Sequence, residues 1–206
     1  MSTIAIIGAG NVGRALATSA VRAGYSVSLS STDPEDAQAV AATTGARSIA
    51  SSLDAVEAAE MVVLAVPYPA LDGLVAELGG ALTGKIVVDV TNRPTVSGAS
   101  IAESLQASIP AARVVKAFNS TFASRMVDPI VDGIQADAFV AADDADAKAA
   151  VMDLARAIGF RPIDAGPLAV AGTLEGMAWL NISLNMQNGW AWQDAWKLVG
   201  PTAAAA

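Results

Sequence analysis

Ile4-Ala5-Ile6-Ile7-Gly8-Ala9-Gly10-Asn11-Val12-Gly13 is the stretch on which the fold turns. Its continuous apolar run reads as a buried strand. The glycines that follow match G-x-G-x-x-G, and Asn11 to Ala23 reads as a helix that starts inside the motif. Ser26 to Ser30 is expected as a second strand. Thr3 to Ser30 is then one strand–helix–strand unit of the length that motif requires, about 30 residues. Gly8 is read as the tight turn, Gly10 as the point where a pyrophosphate meets the backbone, and Gly13 as the place where helix and strand pack closely. The helix N-terminus offers free N–H groups and a partial positive charge. Three glycines on one turn forfeit stability unless a ligand uses them. Gly8, Ala9, Gly10, Asn11, Val12 and Gly13 are therefore candidate pyrophosphate-binding residues.

Outward from this unit the rhythm repeats. Pro34 to Thr44 reads as a helix, with Asp33 as N-cap and Pro34 at its first position. Met61 to Val66, Ile86 to Val90, Arg113 to Phe118, Ala138 to Ala141 and Pro162 to Asp164 read as strands. Ala70 to Leu78, Ile101 to Ala107 and Ala145 to Ile158 read as helices between them. Apolar strands alternating with helices predict an α/β fold, a Rossmann-type mainly parallel sheet with helices on both faces. Residues 1–166 are assigned to this dinucleotide-binding unit and 167–206 to a small helical C-terminal appendage. That appendage holds all four tryptophans, Trp179, Trp190, Trp192 and Trp196, with Met177, Leu180 and Leu184 at helical spacing. Clustered tryptophan favours a dimer interface or a wall over the acceptor pocket above plain packing on the core. Ala203 to Ala206 is low-complexity and expected to fray.

Composition narrows the chemistry. The 206 residues are 53% hydrophobic and 16% charged, enough apolar material for a core. A net charge of −8 disfavours nucleic acid as a partner. With no Cys and no His, disulfides, thiolate nucleophiles, Cys/His zinc sites and imidazole-dependent triads drop out. The start of the chain lacks a basic n-region, and no stretch reads as a membrane span, so a cytoplasmic protein is expected. Asp143-Asp144 reads as a helix cap; no metal site is expected and no residue is nominated as catalytic.

Rossmann units that bind NAD place Asp or Glu at the end of the second strand. Here Ser30 stands near that position, followed by Ser31 and Thr32, whose hydroxyls are free for a 2′-phosphate. NADP is expected, with NAD as the alternative because this loop has no Arg. Three other strand ends carry unusual residues. Val66, Pro67 and Tyr68 form a rigid loop, or simply a helix start. Asn92 could bond the ribose or the nicotinamide amide, or make an Asx turn. Ala117, Phe118 and Asn119 could face the nicotinamide ring, or be a core Phe and a turn Asn. Neither Tyr25 nor Tyr68 has Lys four residues later, so the short-chain dehydrogenase pair is missing. An acceptor whose chemistry rests in the cofactors suits this inventory.

Four segments go further: Ile7-Gly8-Ala9-Gly10-Asn11-Val12-Gly13, Val63-Leu64-Ala65-Val66-Pro67, Val115-Lys116-Ala117-Phe118-Asn119 and Arg161-Pro162-Ile163-Asp164-Ala165-Gly166-Pro167-Leu168. In order and spacing they resemble the NADPH-dependent oxidoreductases typified by the reductase of coenzyme F-420, a deazaflavin. The oxidoreductase domain of the STEAP membrane metalloreductases is a relative. The resemblance implies hydride transfer between NADPH and a deazaflavin, flavin or similar planar acceptor, a C-terminal part closing the acceptor pocket, and a homodimer. It also implies that Ser31 holds the 2′-phosphate. Thr32 stands where that family usually has Arg, which removes a bidentate contact. The alternatives are a small imine or keto-acid reductase of the pyrroline-carboxylate or β-hydroxyacid type, disfavoured by the 40 residues left after Gly166, and a non-catalytic dinucleotide sensor.

Overall fold

The computed structural model describes residues 2–93 and 98–200. Ala203 to Ala206, expected to fray, lie outside the described residues. In chain order the elements are β1 (Thr3–Ile7), α1 (Asn11–Arg22), β2 (Ser26–Ser30), α2 (Pro34–Thr44), β3 (Arg47–Ser48), α3 (Ser52–Glu57), β4 (Met61–Leu64) and α4 (Leu71–Leu78). They continue with β5 (Ile86–Asp89), α5 (Ile101–Ser108), β6 (Arg113–Ala117), α6 (Ala123–Val127), the hairpin β7 (Ile130–Val131) and β8 (Ile134–Gln135), β9 (Asp137–Ala142), α7 (Ala145–Ala157), β10 (Arg161–Gly166) and α8 (Ala171–Asn188).

Eight strands form one sheet in the order β10-β9-β6-β5-β4-β1-β2-β3. Neighbours are parallel except β6 and β9, which pair antiparallel, so β9 and β10 run opposite to the rest. Side chains alternate between faces, as the period of a strand requires. Ile4, Ile6, Val63 and Val88 pack on the side of α1, α2 and α7. Ala5, Ile7, Leu64 and Val87 pack with residues of α3, α4 and α5. Both faces are covered, which is why the strands are apolar throughout rather than alternating.

The chain runs outward through β1, β2 and β3, then returns to lay β4 against the other side of β1. That reversal opens a crevice beyond the carboxyl ends of β1 and β4, where ligands bind in open α/β sheets. Most expected elements are present to within two residues. Val66, Val90 and Phe118, expected as strand ends, lie in the loop one or two residues after the strand. α3, α6 and the β7–β8 hairpin have no strong periodic signal in so few residues, and the sequence did not disclose them.

Candidate functional site

The first turn of α1 has no side-chain cap. Asp33, Ser51, Ser100 and Asp144 cap α2, α3, α5 and α7 with their own side chains, and each of those helices has an acid in its first turn. α1 has Gly10 at its N-cap, no capping side chain and no acid in its first turn. Its leading N–H groups and the positive end of its dipole are left for something else.

The glycines divide the work. A Cβ on Gly8, which has φ +119°, would lie 2.2 Å from the Ala65 carbonyl oxygen. A Cβ on Gly13 would lie 1.9 Å from the Gly8 carbonyl oxygen. Both positions are closed by backbone, so only glycine lets the β1 turn, the β4 turn and α1 meet. At Gly10 nothing lies within 4 Å of where a Cβ would stand. Gly8 N–H donates to the Ser30 carbonyl at 2.8 Å and Ala65 N–H to the Ile7 carbonyl at 2.8 Å, fixing the turn between its neighbours.

A cleft of about 1160 Å³ runs along this rim. Gly8, Ala9, Gly10, Asn11 and Val12 line its middle, Ser31 and Thr32 one end, and Val66, Pro67, Tyr68 and Asn92 the other side. Gly13 does not line it, in keeping with its packing role. Sequence reasoning missed Ala50, Ser51 and Ser52, which join Ser31 and Thr32 at the hydroxyl-rich end, and Gly73, Leu74 and Glu77 of α4. Ser30 is fully buried, its hydroxyl 3.1 Å from that of Ser52, so the position of the usual acid is a hydroxyl pair. Among the described residues, no Lys or Arg lines the cleft.

A second cavity, of about 140 Å³, adjoins the first through Val12, Val90 and Asn92. Asn119 and Phe122 line it from the loop after β6, and Ala178 and Ile182 from α8. Asn92 Nδ2 donates to the Asn119 carbonyl at 2.8 Å, and Asn119 Nδ2 donates to Asn92 Oδ1 at 3.0 Å. One expectation is corrected. Ala117 is wholly buried inside β6 and lines neither cavity, because its side chain belongs to the sheet's covered face. Phe118 lines the small cavity while also packing in the core, 1% exposed with its ring 6.2 Å from that of Phe160. Its φ of +60° turns the chain sharply and brings Asn119 to the rim.

Beneath Asn92 and Asn119 lies a buried ionic cluster. Lys116 Nζ donates to Asp89 Oδ2 at 2.8 Å and to the Thr91 carbonyl at 2.6 Å, and stands 3.2 Å from Glu175 Oε1. The three side chains have no solvent exposure. Glu175 also accepts from Ile101 N–H at 2.8 Å, so α8 is tied to α5 and to the ends of β5 and β6. Beyond α8 the chain is strapped back across the molecule. Ser124 Oγ donates to the Trp192 carbonyl at 2.7 Å, and the rings of Phe122 and Trp192 meet edge to face at 5.3 Å. Farther on, Asp137 accepts from Arg161, Lys197 Nζ and Leu198 N–H. Burial pushes the Asp137 carboxyl up, but these donors outweigh it and hold it below the ordinary carboxylate range. Among the described residues there is no cluster of acidic groups fit to hold a metal ion, and no helix long and apolar enough to cross a membrane.

Comparison with known proteins places the chain. Residues 3–93 match the family model for NADP oxidoreductase, coenzyme F420-dependent. The chain is 31% identical over 211 residues to the F420-dependent NADP reductase of Methanothermobacter marburgensis, covering 90% of this chain and 93% of that protein. It is 34% identical over 179 residues to metalloreductase STEAP3 of Rattus norvegicus, where the match takes in 84% of this chain but spans only 36% of the relative's length. Among solved structures, one titled a putative F420-dependent NADP reductase, from Arthrobacter sp. FB24, superposes with a TM-score of 0.84 at 31% identity, covering 93% of this chain and 96% of that one.

Proposed function

Because this chain belongs to the coenzyme F420-dependent NADP oxidoreductases, we propose that it exchanges a hydride between NADP(H) and a planar acceptor, a deazaflavin or a flavin. The observation that carries this reading is the uncapped N-terminus of α1 facing a cleft with open space at Gly10. The residues fit a dinucleotide. The amides of the Gly8–Gly13 turn hold its pyrophosphate, Ser31 and Thr32 its adenosine phosphate, and Val66, Pro67, Tyr68, Asn92 and Asn119 the rim on the nicotinamide side. The bound nucleotide supplies the hydride. The chain's own part is to orient and to exclude water.

Among the described residues, none lining the small cavity is acidic or basic. That inventory supports an acceptor that needs no proton from the protein, and it disfavours reduction of an imine or keto acid. The wall from α8, Ala178 and Ile182, is read as the lid over the acceptor. Trp179, Leu180 and Met186 of α8 and Trp190 beyond it stay exposed, and we read this row as the face where two copies meet. Stopped-flow oxidation of NADPH and NADH against deazaflavin, flavin and quinone acceptors tests the reading. Turnover of NADPH with a deazaflavin or flavin is expected. Nucleotide binding without turnover of any acceptor would leave a sensor.

A further inference from the structure

Trp192 stands in a left-handed backbone conformation, φ +58°, which a bulky side chain rarely adopts. Two hydrogen bonds hold it there. Its N–H donates to Asn185 Oδ1 of α8 at 3.0 Å, and its carbonyl accepts from Ser124 Oγ of α6 at 2.7 Å. The buried Asn185 amide is itself fixed, because its Nδ2 donates to the Asn181 carbonyl at 3.0 Å and to Asp194 Oδ1 at 2.7 Å. The Trp192 ring meets the Phe122 ring edge to face, with centroids 5.3 Å apart and planes at 72°. Trp192 nevertheless remains 43% exposed, so burial in the core does not account for an arrangement this closely held.

These contacts join the two walls of the small cavity. Phe122 and Ala123 line it from the loop after β6 and the start of α6, and Ala178 and Ile182 line it from α8. Trp192 touches the first wall through the Phe122 ring and through Ser124, and the second through Asn185, three residues beyond Ile182. At about 140 Å³ the cavity is of the size that admits one six-membered ring. The separation of its walls then decides how far a planar acceptor enters. We propose that Trp192 is a positioning residue for the acceptor: it bridges the loop after β6 and α8, and through the Phe122 ring it fixes the width of the cavity that takes the acceptor's edge. This rests on the reading that the small cavity receives the acceptor, and it gives Trp192 no part in holding the nucleotide.

The test uses the full chain, with FMN and 5-deazariboflavin as acceptors at saturating NADPH, and NADPH affinity measured separately by titration calorimetry. Trp192→Ala is expected to raise the acceptor KM about 3- to 12-fold, the equivalent of losing one aromatic pair, with kcat and the NADPH dissociation constant within about twofold of wild type. Trp192→Phe, which keeps a ring against Phe122, is expected to restore most of the loss. In a Phe122→Leu background, Trp192→Ala should raise the acceptor KM no further than about twofold, because its effect runs through that ring. Trp192→Leu is read in the same way if the alanine variant does not fold. A folded Trp192→Ala chain with the wild-type acceptor KM overturns the proposal. So does an equal loss of NADPH affinity, which a general loosening of the molecule would give. Additive effects of the Trp192 and Phe122 variants, or a phenylalanine variant as impaired as the alanine one, also overturn it. A wild-type chain that binds NADPH but reduces neither acceptor overturns the underlying reading of the cavity, and the proposal with it.

Discussion

At the scale of single residues, the three glycines of the turn separate binding from folding. Gly10→Val has open space for its side chain and an ordinary negative φ of −71°, so the fold is expected to survive while the approach of the pyrophosphate is blocked. Dinucleotide affinity should fall at least about a hundredfold, near 2.8 kcal/mol, with thermal unfolding little changed. Gly13→Ala should do the reverse of a clean binding mutant, because its Cβ collides with backbone at 1.9 Å, and its melting temperature should drop clearly. Unchanged titration with Gly10→Val would remove the phosphate-turn assignment. Thr32→Arg tests the other end of the cleft. A guanidinium beside Ser31 should raise the preference for NADPH over NADH, read as the ratio of two dissociation constants. An unmoved ratio would place the 2′-phosphate elsewhere. These residues were legible in the sequence because each is defined by a local rule: a turn, a cap, a strand end. Phe118 was not, because whether an aromatic at a strand end faces core or cleft depends on what packs over it.

At the scale of elements, α8 is fixed to the sheet by charge as well as by apolar contact. Leu174 and Ala178 are buried beside the Glu175–Lys116–Asp89 cluster. Lys116→Met removes the cation from between two buried carboxylates and should cost about 3–5 kcal/mol of stability, measured by urea unfolding. A loss below about 1 kcal/mol would mean that the cluster contributes little. Ending the chain after Leu168 deletes Glu175 and the α8 wall of the small cavity, and should yield an insoluble or acceptor-inactive protein. A soluble truncate with full activity would show α8 to be dispensable. The sequence marked Lys116 as the end of a strand. It gave no sign that Glu175, 59 positions later, supplies its partner, since nothing local links a strand end to a helix so far along the chain.

At the scale of the whole molecule, the tail after α8 closes on Asp137 at the start of β9, and this closure should be sensitive to acid. The Asp137 carboxyl is held below its ordinary 3.8 in the folded chain, so its contribution is present above that value and is lost as pH falls through the lowered folded one. Tryptophan fluorescence, reporting Trp190, Trp192 and Trp196, should change on acidification below about pH 4. In Asp137→Asn the tail should already be loosened at neutral pH. A pH-independent signal in wild type would show that the strap does not depend on this charge. The exposed row of α8 makes a separate prediction: Leu180→Glu with Met186→Glu should shift the sedimentation of the wild-type species toward the monomer. What the sequence determined by itself was the alternation of apolar strands and helices, the covered parallel sheet and the phosphate turn, because these follow from periods and spacings within about 30 residues. Only the tertiary structure decided the reversed β9 and β10, the pairing of Asn92 with Asn119, the burial of Lys116 between Asp89 and Glu175 and the anchoring of the tail on Asp137. Each joins residues far apart in the chain through contacts that form when the core packs, and no local pattern encodes which distant partner will be there.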